Sequence, residues 1–461
     1  MTARTIPIVV ILSLTALLFP IHHIAAATSQ SVATPQSTAA PQSVATPQSS
    51  VSLQKMVNQA ESGAQVVVPS GVYQGPLLIS KPLTLLPEAG GEVTIVGNGE
   101  DAALSIEADR VTVVGLRIDD RTVKEAPSVL VRGDEVRLEE LYIITGSDGI
   151  KIEEAAHVHV LACVVEWGAG ETTKFSDRGN GIDLFKATDA RIRGNVIRQV
   201  YDGIYLEFSN DTLVEHNHIE ESRYGIHLMF TKRSIVQDNT GSLNITGAMI
   251  MTASGTKVRN NTFTKQNENV NSQGILLFDV QDAVVESNAV EGNRVGFHVE
   301  HSFNNRIEGN RIQQNFIGIQ LLDSENNTIT GNTLTGNVTD ALARGNAEND
   351  LYANYWDSFA GIDVDGDGLS DTSYTIHPLF QGIIQKRPPF QLFFRTPGIV
   401  FLESLYEGNQ SSWTTDRSPL MAPPEAWQQD GGGMSGTMAL VGAIFVMASL
   451  AIISLLRRRL T

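Results

Sequence analysis

GIYLEFSNDTLVEHNHIEESRYGIHLMFTKRSIVQDNT, residues 203–240, is the stretch that settles the fold. It holds two Gly-Ile-x-Leu segments, starting at Gly203 and Gly225, and two asparagines in matching phase, Asn217 and Asn239; each pair is 22 residues apart. Ile204 and Leu206, then Ile226 and Leu228, recur every second position, the period of a strand and not of a helix. Asn, Asp and Ser stand between the strands, where turns are made. Strands of four or five residues, separated by turn residues and repeated at a fixed interval, read as stacked β coils.

The phase extends along the chain. Asparagines hold it at Asn195, Asn217, Asn239, Asn261, Asn288, Asn310 and Asn332, and glycines run in step at Gly181, Gly203, Gly225, Gly247, Gly274, Gly296 and Gly318. Both series have spacings of 22, 22, 22, 27, 22 and 22. The expected fold is all-β: a right-handed, single-stranded parallel β-helix with 22-residue coils, running from about Leu53 to about Tyr352. Inward Ile, Leu and Val form apolar columns, and the Asn amides stack at one turn, each bonding the next coil. Leu141 and Cys163 take the Asn position in earlier, looser coils. Cys163, the single cysteine, is therefore expected to be a buried column member, and an intrachain disulfide is excluded. Two insertions break the period, ten residues within 168–180 and five within 264–272. Both fall between the Asn turn and the next Gly, so they should emerge at one edge and wall a groove.

The 461-residue chain carries 33 Lys and Arg against 51 Asp and Glu, a net charge of −18, which argues against nucleic acid as a partner. Its ends point outside the cytoplasm. Residues 1–27 have the charged start, short apolar core and small-residue close of a signal peptide. Residues 28–52 form a low-complexity linker in which SVATPQS occurs twice. After a cap at 353–409 and a spacer at 410–436, the apolar run 437–456 is long enough for a transmembrane helix. The cytoplasmic tail 457–461 begins with three arginines. The expected localisation is extracytoplasmic, with the body held at the outer face of the membrane by this C-terminal anchor.

Alternation assigns faces: the second and fourth residues after each Gly point outward. Successive coils then present Asp183 and Phe185, Tyr205 and Glu207, His227 and Met229, Met249 and Met251. One imidazole and three thioethers on adjacent coils form a soft donor set suited to copper as Cu(I). An apolar patch beneath a loop or partner, with Met as filler, is the alternative. His298 lies two coils further on, and His216 and His218 flank an Asn turn as surface residues. A rival function is a carbohydrate-active enzyme, with Asp183, Tyr205 and Glu207 as acid and base. A surface adhesin explains export but not the Met cluster.

Asp363, Asp365, Asp367 and Asp371, with Gly368 between, resemble the first nine residues of a calcium loop, although Tyr374 stands where its Glu belongs. The apolar but broken stretch 388–402 reads as a docking segment for a membrane partner or as a cover for the last coil.

Over about Leu53 to Glu407 the chain resembles the NosD family. The most specific marks are GIHLMF at Gly225–Phe230, the Met251 strand one coil on, NYWDSFAGIDVDGDGLSDTSY at Asn354–Tyr374 and PPFQLFFRTPGIVFLES at Pro388–Ser404. The resemblance implies a non-enzymatic copper-handling protein for maturation of nitrous oxide reductase. It implies docking on the membrane subunit of an ABC transporter and receipt of copper from a small copper chaperone. By position, His227, Met229 and Met251 match the family's HxM and following Met strand, while Met249 stands where a small residue is usual. The C-terminal anchor and Ser/Pro linker depart from the soluble periplasmic pattern and suggest a producer that must tether the protein.

Overall fold

The computed structural model describes residues 52–170, 174–267, 269–344, 348–377, 396–406 and 413–424, with Leu379, Ile383 and Phe390 between them. The expected signal peptide and the 437–456 anchor lie outside the described residues. Among the described residues no helix is long and apolar enough to cross a membrane.

Short strands assort into three sheets of 15, 13 and 12 strands, and each sheet takes every third strand of the body. Neighbouring coils pair in parallel, and the chain winds as a right-handed β-helix. Register follows the repeat: Ile204 faces Ile226 and Ile226 faces Ala248. The coils with insertions keep alignment, with Ile182 facing Ile150 and Gln273 facing Thr246. The inward column Ile182, Ile204, Ile226, Ala248, Ile275 and Phe297 is fully buried.

The glycine series has a steric origin. A Cβ at Gly203, Gly225, Gly247 or Gly296 would lie 2.5–2.6 Å from the next coil's carbonyl oxygen. Close coil-to-coil approach, and not left-handed backbone, excludes a side chain there.

The asparagine series forms the expected ladder. Asn217 donates its backbone N–H and its Nδ2–H to Asn239 Oδ1, both at 2.9 Å, and a second Nδ2–H to Ile192 O. The pattern runs from Cys163, whose N–H bonds Asn195 Oδ1, to Asn354. Cys163 is fully buried and its thiol is pushed up to about 12, chiefly by burial. Two further ladders were not singled out in the sequence. One runs Asn244, Gln266, Asn293, Asn315, Asn337 and the other Asn305, Asn327, Asn349. Gln266 interrupts the first and the second is short, so neither stands out as a period.

Both ends are covered. Residues Leu53–Gln59, expected to open the coils, form an α-helix that buries Leu53 and Val57. Its Gln54 amide bonds the N–H and C=O of Leu78 at 2.8 and 2.9 Å, pairing an edge strand as another strand would. At the other end, Thr415–Asp416 pairs with the last coil at Leu351 and with Tyr374–Thr375. Asp416 Oδ2 accepts from Asn354 Nδ2 and from Trp356 Nε1, each at 2.9 Å. Residues 413–424, read above as the start of a spacer, thus contribute to the cap.

Candidate metal centre

The histidine and methionines lie on the outer face of the 12-stranded sheet. The strands Asp202–Glu207, Tyr224–Met229 and Thr246–Met251 are neighbours there. In their register Tyr205, His227 and Met249 stand abreast, as do Glu207, Met229 and Met251. Neighbouring strands are ~4.8 Å apart and alternate residues on one strand ~6.6 Å, so the four candidate donors form a two-by-two block.

The block is less open than alternation implies. His227 is only 6% exposed, and Met229, Met249 and Met251 are half-buried. The imidazole lies against the Tyr205 ring at 4.8 Å and the edge of Tyr224 at 5.0 Å. Its Nδ1 is 2.9 Å from Asp202 Oδ2. Its Nε2 is buried and has no hydrogen-bond partner. The Tyr205 hydroxyl comes within 4.0 Å of Met229 Sδ.

Asp202, 1% exposed, is also held by Arg223 in a fork, Nε to Oδ1 at 2.7 Å and Nη2 to Oδ2 at 2.6 Å. Arg223 is clamped between the rings of Tyr201 and Tyr224, 3.7 and 4.2 Å from their centroids. Burial works against the Asp202 charge, but the His227 and Arg223 bonds outweigh it and hold the carboxyl below its ordinary value. Sequence reasoning missed both residues. They precede the Gly of adjacent coils, outside the Gly-Ile-x-Leu pattern, and acid and base 21 residues apart gave no motif.

The acidic group proposed for the rival enzyme lies on the same face. Asp183 is 7% exposed and accepts from Asn180 Nδ2 at 3.0 Å. Burial, and then the charge of Asp148, push its carboxyl up to about 7. Tyr205 is driven above its ordinary value by burial and by Glu207 and Asp183. His298 is bonded to Glu300 at 3.0 Å, away from the block, while His218 pairs with Thr240 on a different sheet.

The insertions do share an edge. A cavity of about 480 Å³ is lined by Phe175 and Arg178 from the longer one, Asn269 from the shorter, and Gln199, Glu221 and Leu243 from coils between.

In the cap, the carboxylates of Asp363, Asp365 and Asp371 lie within 4.8 Å of one another. Asp367 does not join them; it accepts from the N–H of Leu369. Asp363 accepts from the N–H of Gly366 and Gly368, which lowers its carboxyl from the ordinary value. Of the apolar stretch, Pro397–Ser404 is an α-helix; 388–389 and 391–395 lie outside the described residues. Ile399 packs with Val295, Ile317 and Leu342, whereas Phe401, Leu402, Leu405 and Tyr406 are exposed.

Known proteins resemble the chain at two levels. Among solved structures, a PL6 alginate lyase with bound trisaccharide superposes with a TM-score of 0.53 at 14% identity, covering 65% of this chain and 81% of that one. A family 28 exopolygalacturonase of Yersinia enterocolitica does so with 0.53 at 12%, over 64% and 74%. Likeness at this identity concerns the fold alone. A model for right-handed β-helix regions matches residues 91–240. One described as "Periplasmic copper-binding protein (NosD)" matches residues 168–363, which contain the whole His227–Met251 block. A "Probable ABC transporter binding protein NosD" of Pseudomonas aeruginosa is 30% identical over 398 residues, 80% of this chain and 90% of that protein. A protein of the same description from Stutzerimonas stutzeri is 28% identical over 141 residues, 30% of this chain and 31% of its own length. With the Pseudomonas aeruginosa protein 30% identical across 80% of this chain and 90% of its own length, the chain belongs to the NosD family.

Proposed function

We propose that this protein is an extracytoplasmic copper-handling accessory protein, not an enzyme, whose cargo is Cu(I) bound by His227, Met229 and Met251 with Met249 beside them. The observation that carries the reading is His227 Nε2, buried and without a hydrogen-bond partner, on a side chain that stands abreast of Met249 and next to the Met229–Met251 pair. A buried polar atom left unsatisfied costs about 1–3 kcal/mol, and a bound metal removes that cost. Thioethers and a neutral imidazole favour a soft monovalent ion over hard cations.

The copper serves maturation of the copper cluster of nitrous oxide reductase, with the protein working beside an ABC transporter and receiving its cargo from a copper chaperone. Family membership and the relatives' descriptions support this setting. The exposed Phe401, Leu402, Leu405 and Tyr406 suit the transporter's membrane subunit as a docking surface, and the apolar run 437–456 suits an anchor.

A Cu(I) competition titration of the full-length protein tests the site. His227→Ala, Met229→Ala and Met251→Ala should each weaken binding at least tenfold, and Met249→Ala less. Equal stoichiometry and affinity in all variants would sink the assignment.

The carbohydrate reading rests on Asp183, a buried acid pushed up to about 7 near Tyr205 and Glu207. It requires turnover of uronan polymers that disappears in Glu207→Ala. Tyr205 serves neither reading alone: its ring is packed on His227, while its hydroxyl interacts with Glu207 and lies 4.0 Å from Met229 Sδ.

A further inference from the structure

We infer that Asp202 and Arg223 are positioning residues for the copper site: together they fix the His227 imidazole in the tautomer protonated at Nδ1, so that Nε2 is the atom offered to the metal. The inference rests on the copper reading above and names which nitrogen binds and what selects it.

Arg223 sets the direction of the bonds at Asp202. A guanidinium donates and cannot accept, so both Asp202 oxygens that meet its fork act as acceptors. An ionised, bidentate carboxylate in turn accepts from the third group that reaches it, and that group is His227 Nδ1. A proton therefore sits on Nδ1, and whenever the ring is neutral its lone pair is on Nε2, the atom without a hydrogen-bond partner. The ring has little freedom to turn over. Tyr205 lies along one side, Tyr224 meets it edge-on, and 94% of the residue is withdrawn from solvent.

Arg223 is itself fixed from two sides. Tyr201 and Tyr224 hold its plane, and its Nη1 donates to the Tyr201 hydroxyl at 2.6 Å. Tyr201 lies 6.4 Å from Phe175, ring centre to ring centre. The chain Tyr201, Arg223, Asp202, His227 thus runs from the edge bearing the long insertion to the thioether block. Such outer partners orient a metal-binding imidazole and raise its basicity, and their loss commonly costs 10–100-fold in affinity.

The first test needs no metal. Nitrogen NMR of the ¹⁵N-histidine-labelled full-length protein at pH 8, with His227 identified by its loss in His227→Gln, should show a protonated Nδ1 and an unprotonated Nε2. Cu(I) should then shift Nε2 more than Nδ1. Asp202→Ala should give a mixture of tautomers and weaken Cu(I) binding on the order of 100-fold. Asp202→Asn keeps an oxygen acceptor and should lose on the order of tenfold, within the range for such partners. An apo protein protonated at Nε2 overturns the inference, as does a folded Asp202→Ala with unchanged Cu(I) affinity and an unchanged His227 spectrum. A wild type that keeps the Nδ1 proton yet binds no Cu(I) overturns the copper reading, and the role of Asp202 within it.

Discussion

A methyl group at Gly296 would sit 2.5 Å from Gly318 O and 2.9 Å from Ile312 Cγ2. Backbone atoms of the next coil cannot retreat without breaking their own pairing, so Gly296→Ala should cost about 2–3 kcal/mol of stability in urea unfolding. Its distance from the His227 block should leave Cu(I) affinity unchanged in the fraction that folds. Asp183 gives a different signature. Its folded value of about 7 lies above the ~3.9 of an unfolded Asp, so the stability it contributes is full below about pH 4 and lost as pH rises through 7. Asp183→Asn keeps a neutral side chain at all pH values. It should be more stable than wild type at pH 8, on the order of 2–4 kcal/mol, and close to it at pH 4. Unfolding curves at the two pH values check the sign.

At the scale of elements, the ladder concentrates risk in single side chains. Asn261 accepts from the N–H and Nδ2–H of Asn239 and donates to Asn288 Oδ1 and Val236 O. Asn261→Ala leaves several of these buried groups unpaired and should cost about 3–5 kcal/mol. The Asn239 amide should lose hydrogen-exchange protection first. The Asp363 loop is joined to the cap through Ser370 N–H to Pro419 O and through the Leu369–Leu420 bridge. Calcium held by Asp363, Asp365 and Asp371 should therefore raise the melting temperature, by mass action at millimolar concentrations, and Asp371→Asn should abolish the rise. These elements also show what sequence carries. The Asn and Gly series were legible because a solenoid repeats its contacts, so one physical constraint recurs as one letter. That His227, Met229 and Met251 lie side by side was legible because register follows from the same count. Asp202 and Arg223 were not, because their bond joins different coils at positions where the repeat imposes nothing. Burial of His227 was missed for the same reason: alternation gives a side chain's direction, not the neighbours that close over it.

For the whole molecule, the two ends solve one problem with different means. The Gln54 amide satisfies the first edge, and Asp416 ends the ladder with an acceptor that has no further coil to find. Burial raises the Asp416 carboxyl despite its bonds from Trp356 and Asn354, so the cap should be tighter in mild acid than at alkaline pH. Faster hydrogen exchange of residues 350–356 as pH rises, after correction for intrinsic rates, is the expected outcome. The regular winding between the ends also makes the body a ruler. Four coil steps separate the Thr246–Met251 strand from the Thr339–Arg344 strand, about 19 Å at one strand spacing each. Removing residues 303–324 would excise one graduation, bringing the thioethers ~4.8 Å nearer the cap while leaving their own surroundings intact. A protein that grips its partner at the cap and delivers cargo from the middle would then reach to the wrong place, binding copper as before and handing it on poorly.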